Sequence, residues 1–329
     1  MSTLLITGGG GFVMGHLARQ WVEADTQNRA IVLDAAPLDV SAAAFLSNPR
    51  IQFIQGDVTD RATWNRLPAP HDITYLAHAA AVTSINRHVV QSGLRGAVPA
   101  LGVNIMGVAE ALAFADQLPG LRRFVNLSSG SVYANHGRQA PGQPLPEDGN
   151  VAPDGWYAVS KYAGELLVSE AAVGGLPAVS VRLSGVFGPM DRTTPARAVD
   201  CVPKRMAHAA RDGRTLRLAG LNAVGDWIHA GDVASGVMAL LECAAPRHPV
   251  YNIAAGQVTT LAELAQSVPN LNWHESGPQE ADIIADETRT GGRWGAYDIS
   301  RMVADTGWRP RALGDAVLDY ANWLKQHPF

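Results

Sequence analysis

The chain has 329 residues, 47% of them hydrophobic, which suffices for one large α/β unit with an appendage or for two domains around a sizeable core. With 17% charged residues and a formal net charge of −4, it has no positive excess for nucleic acid or an anionic membrane, so we expect a small-molecule partner. Its start, MSTLLITGG, has no basic segment before a long apolar stretch, and no apolar run reaches about 18 residues. We therefore expect no signal peptide and no membrane span, and a cytoplasmic protein.

A short apolar run, Thr3 to Thr7, ends at four consecutive glycines, and Val13, Leu17 and Trp21 then recur at helical spacing. This pattern predicts a strand, a glycine turn and a helix. Such a turn lets a pyrophosphate approach the backbone and places it at the positive end of the helix. The residues predicted to contact a dinucleotide here are Gly8, Gly11, Phe12 and Val13.

The next apolar run, Ala30 to Asp34, is predicted to be a second buried strand that ends in an acid. Asp34 lies 26 residues after Gly8, close to the spacing expected of a carboxylate that binds the hydroxyl groups of an adenosine ribose. Its charge would repel a 2′-phosphate, and no arginine follows it immediately. The sequence therefore favours NAD over NADP.

Four further strands are predicted between helical segments, at 51–55, 73–77, 123–127 and 178–183. Because crossovers between parallel strands place helices on both faces of a sheet, this alternation predicts a doubly wound parallel sheet of the Rossmann type. We expect the cofactor at the carboxyl ends of the strands and a smaller C-terminal lobe for the substrate. The predicted boundaries are 1–187 with a return segment at 226–256 for the dinucleotide-binding domain, and 188–225 with 257–329 for the lobe.

Tyr157 and Lys161, in the segment WYAVSKYAG, stand one turn apart on the same face of a predicted helix. An ammonium beside a phenol stabilises the phenolate and lowers the pKa of that phenol by roughly 1–3 units from about 10. Such a phenol is a usable proton acceptor at neutral pH. The pair is therefore predicted to be catalytic if the chain builds a nicotinamide site beside it.

Six motifs follow one another along the chain: TGGGGFVMGHL, GDVTD, HAAAVTS, SSGSVYA, the tyrosine–lysine segment and DISRMVADTGWRP. Together they resemble the extended short-chain dehydrogenase/reductase family, in particular its NAD-dependent epimerase/dehydratase group of UDP-glucose 4-epimerase-like enzymes. The resemblance implies a Rossmann fold, bound NAD and a catalytic set of Ser129, Tyr157 and Lys161. In that set, the serine hydroxyl would bind the reacting oxygen and stabilise its charge as the proton leaves.

The same resemblance implies further contacts. Asp57 and Val58 would flank the adenine, and the small Ala80 and Ala81 would let the cofactor lie across a strand end. Asn104 would hold its helix against the active site. The residues implied on the substrate side are Ser84, Ser129, Ser131 and Arg289. Since helices of related proteins form a four-helix bundle between two subunits, we expect a homodimer.

Several positions depart from the family pattern. Met14 replaces the third glycine of the turn, which implies a slightly displaced first helix. Gly130 and Ser131 stand where sugar 4,6-dehydratases carry an Asp-Glu pair and nucleotide-sugar decarboxylases a Glu, which argues against elimination and decarboxylation. Gly185 replaces an asparagine, and Gly225 stands where nucleotide-sugar enzymes often place an arginine against the diphosphate. These last two changes weaken the case for a typical nucleotide sugar.

Three functions are compatible with these residues. The first is an NAD-dependent epimerase that acts on a sugar or nucleotide sugar through a transient ketone. If the ketone leaves, the enzyme is a dehydrogenase of a free sugar, a sugar acid or a related alcohol. The third is an NAD-sensing binding protein, which would be expected to have lost the tyrosine or the lysine. We expect no metal, since Cys201 and Cys243 lie far apart and without ligand spacing.

Overall fold

The computed structural model of the protein describes residues 2–68, 70–83, 97–133, 143–149, 151–194, 200–285 and 296–327. The strands are β1 (Thr3–Thr7), β2 (Arg29–Asp34), β3 (Ile51–Gln55), β4 (Ile73–His78), β5 (Arg123–Leu127), β6 (Ala178–Leu183), β7 (Gly185–Phe187), β8 (Thr215–Ala219), β9 (Val224–Gly225), β10 (Trp227–His229), β11 (Val250–Ile253), β12 (Thr259–Thr260), β13 (Asn272–Glu275) and β14 (Ile283–Ile284). The helices are α1 (Phe12–Ala24), α2 (Val40–Phe45), α3 (Arg61–Asn65), α4 (Ala97–Ala115), α5 (Gly155–Val173), α6 (Val202–Arg211), α7 (Ala230–Glu242), α8 (Leu261–Ser267), α9 (Ser300–Thr306) and α10 (Leu313–Gln326).

A seven-stranded sheet in the order β11-β6-β5-β4-β1-β2-β3 carries most of these elements. Every pairing within it is parallel. The chain builds one half outward from β1 through β2 and β3, and then returns to β4 and builds the other half. The order therefore reverses between β1 and β4, which is where a doubly wound sheet binds its ligand.

Helices cover both faces of this sheet. Because successive side chains of a strand point to opposite faces, each strand contributes to two cores. Leu4 of β1 enters one core with Trp21 of α1, and its neighbour Leu5 enters a second core with Val108 of α4. Strands covered on both sides are nearly continuous apolar runs, which is why they were readable in the sequence. The predicted fold class is confirmed.

A smaller parallel sheet, in the order β13-β8-β14, lies in the C-terminal part of the chain. Its core joins Leu216 and Leu218 of β8 to Met206 of α6, Leu264 of α8 and Tyr320 of α10. Strand β7 pairs with β10, and β9 pairs with β12, in two short separate ladders. Along the chain these four strands are interspersed with strands of the two sheets. The boundaries given for the two lobes stay a prediction.

The predicted strands agree with the structure at 51–55, 123–127 and 178–183. Two predictions were short by one residue, since β2 begins at Arg29 and β4 continues to His78. These are terminal residues, where the local apolar pattern is weakest.

Helix α4 is long and apolar enough to cross a membrane by length and composition alone. Its residues Val108 and Ala111 are nevertheless buried against the sheet, as expected of a core helix, which passes the same test. The segment Gly102–Met106 is π-helical, a local widening that frequently marks functional sites. The absence of a membrane span stays a prediction.

Candidate active site

The glycine turn after β1 lies directly against the end of β4. Gly8 has a φ of 66°, and a Cβ added to it would lie 2.7 Å from the backbone nitrogen of Ala80. Gly11 is the N-cap of α1 and has no side chain to bond the first amides of that helix, which begins with Phe12 and Val13. The turn is therefore a cradle free of side chains at the positive end of α1, and it fits a dinucleotide pyrophosphate.

Asp34 ends β2 beside this turn. Its Oδ2 accepts a hydrogen bond of 3.0 Å from the amide of Gly10, and its Oδ1 accepts one of 3.1 Å from the amide of Ala36. Burial raises the pKa of the Asp34 carboxyl, and these amides oppose that shift. The arrangement holds a carboxylate at the place where an adenosine ribose would lie next to the turn.

Arg192 also reaches the glycine turn, which the sequence did not indicate. Its Nη2 donates a hydrogen bond of 2.8 Å to the carbonyl oxygen of Gly10, and its Nε lies 2.6 Å from Oδ2 of Asp39. Its positive charge also opposes the burial-driven rise in the pKa of Asp34. No arginine directly follows Asp34 in the sequence, whereas this one comes from the segment after β7.

The predicted adenine contacts differ in their surroundings. Oδ1 of Asp57 accepts hydrogen bonds of 2.8 Å from both the amide and the hydroxyl of Thr59, so this carboxylate braces its own turn. The side chain of Val58 is buried, and a Cβ on Gly107 of α4 would lie 2.8 Å from its Cγ2. A contact from Val58 to a cofactor would therefore come from its backbone.

Ala80 and Ala81 follow β4 and are half-buried. The amide of Ala80 donates a hydrogen bond of 3.3 Å to Oγ1 of Thr7, the last residue of β1. This bond ties together the ends of the two strands at which the sheet order reverses. The predicted substrate residues Ser84 and Arg289 lie outside the described part of the chain.

The three predicted catalytic residues lie on two elements that pack together. Ser129 follows β5 and begins the helical turn Gly130–Val132, which packs against α5. Tyr157, which is half-buried, and Lys161, which is almost fully buried, stand one turn apart on that helix. Burial lowers the pKa of Lys161 to about 8, and the negative charge of Glu165 opposes this shift.

The two serines of this turn are held in different ways. Oγ of Ser129 accepts a hydrogen bond of 3.1 Å from the amide of Ser131. Oγ of Ser131 is shielded from solvent and has no hydrogen-bond partner among the residues that the structure describes. A buried hydroxyl without a partner is costly unless a water or ligand satisfies it.

Asn104 of α4 is hydrogen-bonded both to α5 and to the chain after β4. Its Oδ1 accepts a hydrogen bond of 2.8 Å from the amide of Val82, and its Nδ2 donates one of 2.9 Å to Oγ of Ser160. The Ser160 hydroxyl in turn donates a bond of 2.8 Å to the carbonyl oxygen of Tyr157. The chain after β4 is thereby connected to the turn that carries the predicted catalytic tyrosine.

A buried ion pair supports the same helix from inside. Nη2 of Arg182 lies 2.7 Å from Oε2 of Glu165, and both side chains are less than 5% exposed. The Ser128 hydroxyl donates a hydrogen bond of 2.5 Å to Oε1 of Glu165. Because Ser128 precedes Ser129, the pair links the strand ends of β5 and β6 to α5. These residues are distant in the sequence and are brought together only by the fold, so no local sequence pattern indicates the network.

Gly130 faces an aromatic ring. A Cβ added to Gly130 would lie 1.6 Å from the phenol oxygen of Tyr297. The amide of Tyr297 donates a hydrogen bond of 3.2 Å to Oδ2 of Asp226, and its ring meets that of Tyr133 edge to face at 5.5 Å. The phenol therefore fills the space that a side chain at position 130 would need.

A reversal of strand order beside a glycine cradle, together with a carboxylate at the end of β2, defines a dinucleotide-binding α/β enzyme. The chain belongs to the NAD dependent epimerase/dehydratase family, whose model matches residues 4–254. It is therefore an NAD-dependent enzyme of the extended short-chain dehydrogenase/reductase type. The predictions of family, fold and cofactor are confirmed.

Known proteins resemble the chain over nearly its whole length. It is 27% identical to a dTDP-glucose 4,6-dehydratase of an Actinoplanes species, across 98% of this chain and 97% of that protein. A UDP-glucose 4-epimerase from Thermotoga maritima, solved with UDP-glucose, has a TM-score of 0.77 at 20% identity and covers 99% and 100% of the two chains. A dTDP-glucose 4,6-dehydratase from Bacillus anthracis in complex with NAD has a TM-score of 0.76 at 18% identity and covers 99% and 97%. At such identities the structural likeness establishes the fold.

Proposed function

We propose that the enzyme epimerises a sugar or a nucleotide sugar through a transient keto intermediate. The observation that supports this most directly is the pairing of Tyr157 and Lys161 on a helix that packs against the turn of Ser129. Tyr157 takes the proton of a substrate hydroxyl, Ser129 binds the same oxygen, and Lys161 stabilises the phenolate. Bound NAD would supply the acceptor for the carbon-bound hydride. Its return to the opposite face of the ketone, with the proton given back by Tyr157, would complete the epimerisation.

We assign the cofactor to the cradle between β1 and β4. The proposed contacts are Gly8, Gly11, Phe12, Val13, Asp34, Asp57, Val58, Ala80, Ala81, Tyr157 and Lys161. In this arrangement the amides at the start of α1 hold the pyrophosphate, and Asp34 accepts hydrogen bonds from the ribose hydroxyls. We assign to the substrate side Oγ of Ser129 and Oγ of Ser131, the latter having no hydrogen-bond partner among the described residues. Ser84 and Arg289 stay predicted substrate contacts.

The contact between Gly130 and Tyr297 favours epimerisation, in which the hydride returns to the ketone, over the elimination that a dehydratase carries out. Elimination needs an additional acid or base next to Ser129, and the resemblance places it at position 130 or 131. Here position 130 has no side chain, and the phenol of Tyr297 takes the space. A dehydrogenase that releases the ketone stays a second candidate, because Gly225 lacks the arginine expected against a nucleotide diphosphate.

We also propose a cytoplasmic homodimer that associates through α4 and α5. The two helices pack side by side, and large apolar side chains on both of them are exposed: Val98 and Met106 on α4, and Val159 and Leu166 on α5. Exposed apolar groups concentrated on neighbouring helices are typical of a contact surface. A second copy of the same helix pair would cover them as a four-helix bundle.

A substrate panel with the purified protein and NAD tests the proposed function. Accumulating NADH, followed by its absorbance, indicates a dehydrogenase; a product isomer without net NADH indicates an epimerase. Replacement of Tyr157 by Phe should abolish turnover, because the proton acceptor is lost, and should leave NAD bound, as measured by calorimetry, because the other proposed cofactor contacts remain. Unchanged turnover by this variant would refute the role of Tyr157.

A further inference from the structure

One indole lies against two glycines at which the chain departs from its family pattern. A Cβ added to Gly185 would lie 2.5 Å from Cε3 of Trp227 and 2.7 Å from its Cζ3. A Cβ added to Gly225 would lie 2.8 Å from Nε1 of the same ring and 2.9 Å from its Cε2. Neither position can therefore carry a side chain while the ring stays where it is. The two departures and the tryptophan form one structural unit.

This unit lies at the edge of the sheet that carries the predicted catalytic residues. Gly185 comes two residues after the end of β6, and Ser129 comes two residues after the end of β5. Since β5 and β6 are parallel neighbours, both positions emerge at the same edge. Gly185 also pairs with Trp227 in the ladder of β7 and β10, and the tryptophan is half-buried. The half-buried indole thus lies at this edge and also packs against the core of the smaller lobe.

Positions 185 and 225 lack the polar side chains of the family pattern, and the indole of Trp227 lies against both. An asparagine and an arginine there would offer hydrogen-bond donors and a positive charge, which is what a diphosphate requires. An indole offers an apolar face and one N–H donor, which suit the C–H face and a hydroxyl of an uncharged sugar ring. The exchange therefore favours a different ligand in the part of the site beyond the reacting carbon.

We propose that Trp227 is the platform for the non-reacting part of the substrate, and that this part is an uncharged sugar or polyol and not a nucleotide diphosphate. The inference rests on the proposed function and narrows its substrate class. Trp227 takes the space of the two missing side chains and stacks on the substrate there. Gly185 and Gly225 are the residues that make room for the indole.

The first experiment compares ligand classes on the NAD-bound protein. UDP, UDP-glucose and dTDP-glucose are titrated by calorimetry, and turnover is measured with these nucleotide sugars, with glucose and galactose, and with their 1-phosphates. We expect no binding of UDP below millimolar concentration and a kcat/KM for an unphosphorylated sugar at least about tenfold above that for any nucleotide sugar. Micromolar binding of UDP, or faster turnover of UDP-glucose, would overturn the proposal and leave the proposed function standing. If nothing in the panel binds or reacts, both fail.

The second experiment tests the platform itself. Trp227→Ala should raise KM for the preferred sugar at least about tenfold, with kcat within about threefold and the Kd of NAD unchanged, because the lost contact does not touch the reacting atoms. Trp227→Phe retains an aromatic face and should recover part of the loss. Trp273→Phe, on β13 of the smaller sheet, is the matched control and should leave KM as it is. An unchanged KM in Trp227→Ala would overturn the proposal.

The third experiment introduces an arginine at position 225, where the family pattern has one. Gly225→Arg alone should lower the melting temperature by several degrees, since the arginine meets the indole. Combined with Trp227→Ala, it should regain that stability and bind UDP at least about tenfold more tightly than either single variant. If Gly225→Arg alone is as stable as the wild type, the indole does not exclude a side chain there and the proposal is wrong.

Discussion

Gly10 joins Arg192 to Asp34, although 182 residues separate the arginine from this glycine. Its carbonyl oxygen accepts the 2.8 Å hydrogen bond from the guanidinium, and its amide donates the 3.0 Å bond to the carboxylate. A positive charge therefore lies next to the carboxylate proposed to bind the adenosine ribose. We therefore expect both residues to determine the charge that a 2′-substituent of this ribose would meet.

The first prediction concerns discrimination between NAD and NADP. Arg192→Gln removes the positive charge and leaves Asp34 in place, so the Kd of NADP should rise roughly tenfold more than the Kd of NAD. Arg192→Lys keeps the charge and should show a smaller change. Both constants are measurable by calorimetry on the cofactor-free protein. Equal effects on the two cofactors would show that Arg192 does not act on the 2′ position.

The second prediction concerns the buried ion pair. Glu165→Gln leaves the guanidinium of Arg182 buried without its anion and should lower the free energy of unfolding by roughly 3–5 kcal/mol. Glu170→Gln, an exposed position on the same helix, should change it by less than about 0.5 kcal/mol. Urea unfolding at neutral pH measures both. A small effect at Glu165 would mean that water or another anion replaces the carboxylate.

Much of the fold was predictable because its signals are local. Strands buried on both faces are short apolar runs, and the turn after β1 is marked by four glycines in a row. The pair Tyr157 and Lys161 is equally local, since its geometry follows from four residues of helical spacing. These features need no knowledge of which elements lie side by side.

The remaining features depend on contacts between distant segments. Arg192 reaches Gly10 only because the segment after β7 returns to the first turn of the sheet. Gly185 and Gly225 were interpreted as lost polar groups, whereas the structure shows an indole in their place. A glycine indicates that there is no room for a side chain at its position. The sequence alone does not show which residue occupies that room.

The third prediction concerns the proposed homodimer. Leu166→Arg places a charge on the exposed apolar face of α5 and should convert the dimer to a monomer in light scattering coupled to size exclusion. Val40→Arg is the matched control, because Val40 is also a large exposed side chain, 87% accessible, but lies on α2. It should leave the mass unchanged. A wild-type protein that is monomeric at micromolar concentration would contradict the assignment.

The fourth prediction follows from the buried ammonium. Because burial lowers the pKa of Lys161 to about 8 from its ordinary value of 10.5, the side chain loses its charge as the pH rises through 8. The uncharged amine does not stabilise a phenolate at Tyr157, so kcat/KM should fall above about pH 8. Lys161→Met should have a much lower rate at pH 7 and lack this alkaline decline.

The stability of the wild type relative to Lys161→Met should rise over the pH range in which its kcat/KM falls. Between about pH 8 and 10.5 the unfolded chain binds the lysine proton and the folded chain does not, so the free energy of unfolding of the wild type should rise with pH relative to Lys161→Met. Below pH 8 both states carry the proton, and the difference between the two proteins should be constant. Chemical unfolding at a series of pH values measures it. A flat difference up to pH 10 would mean that Lys161 keeps its charge in the folded enzyme, and the alkaline decline in activity would then need another titrating group.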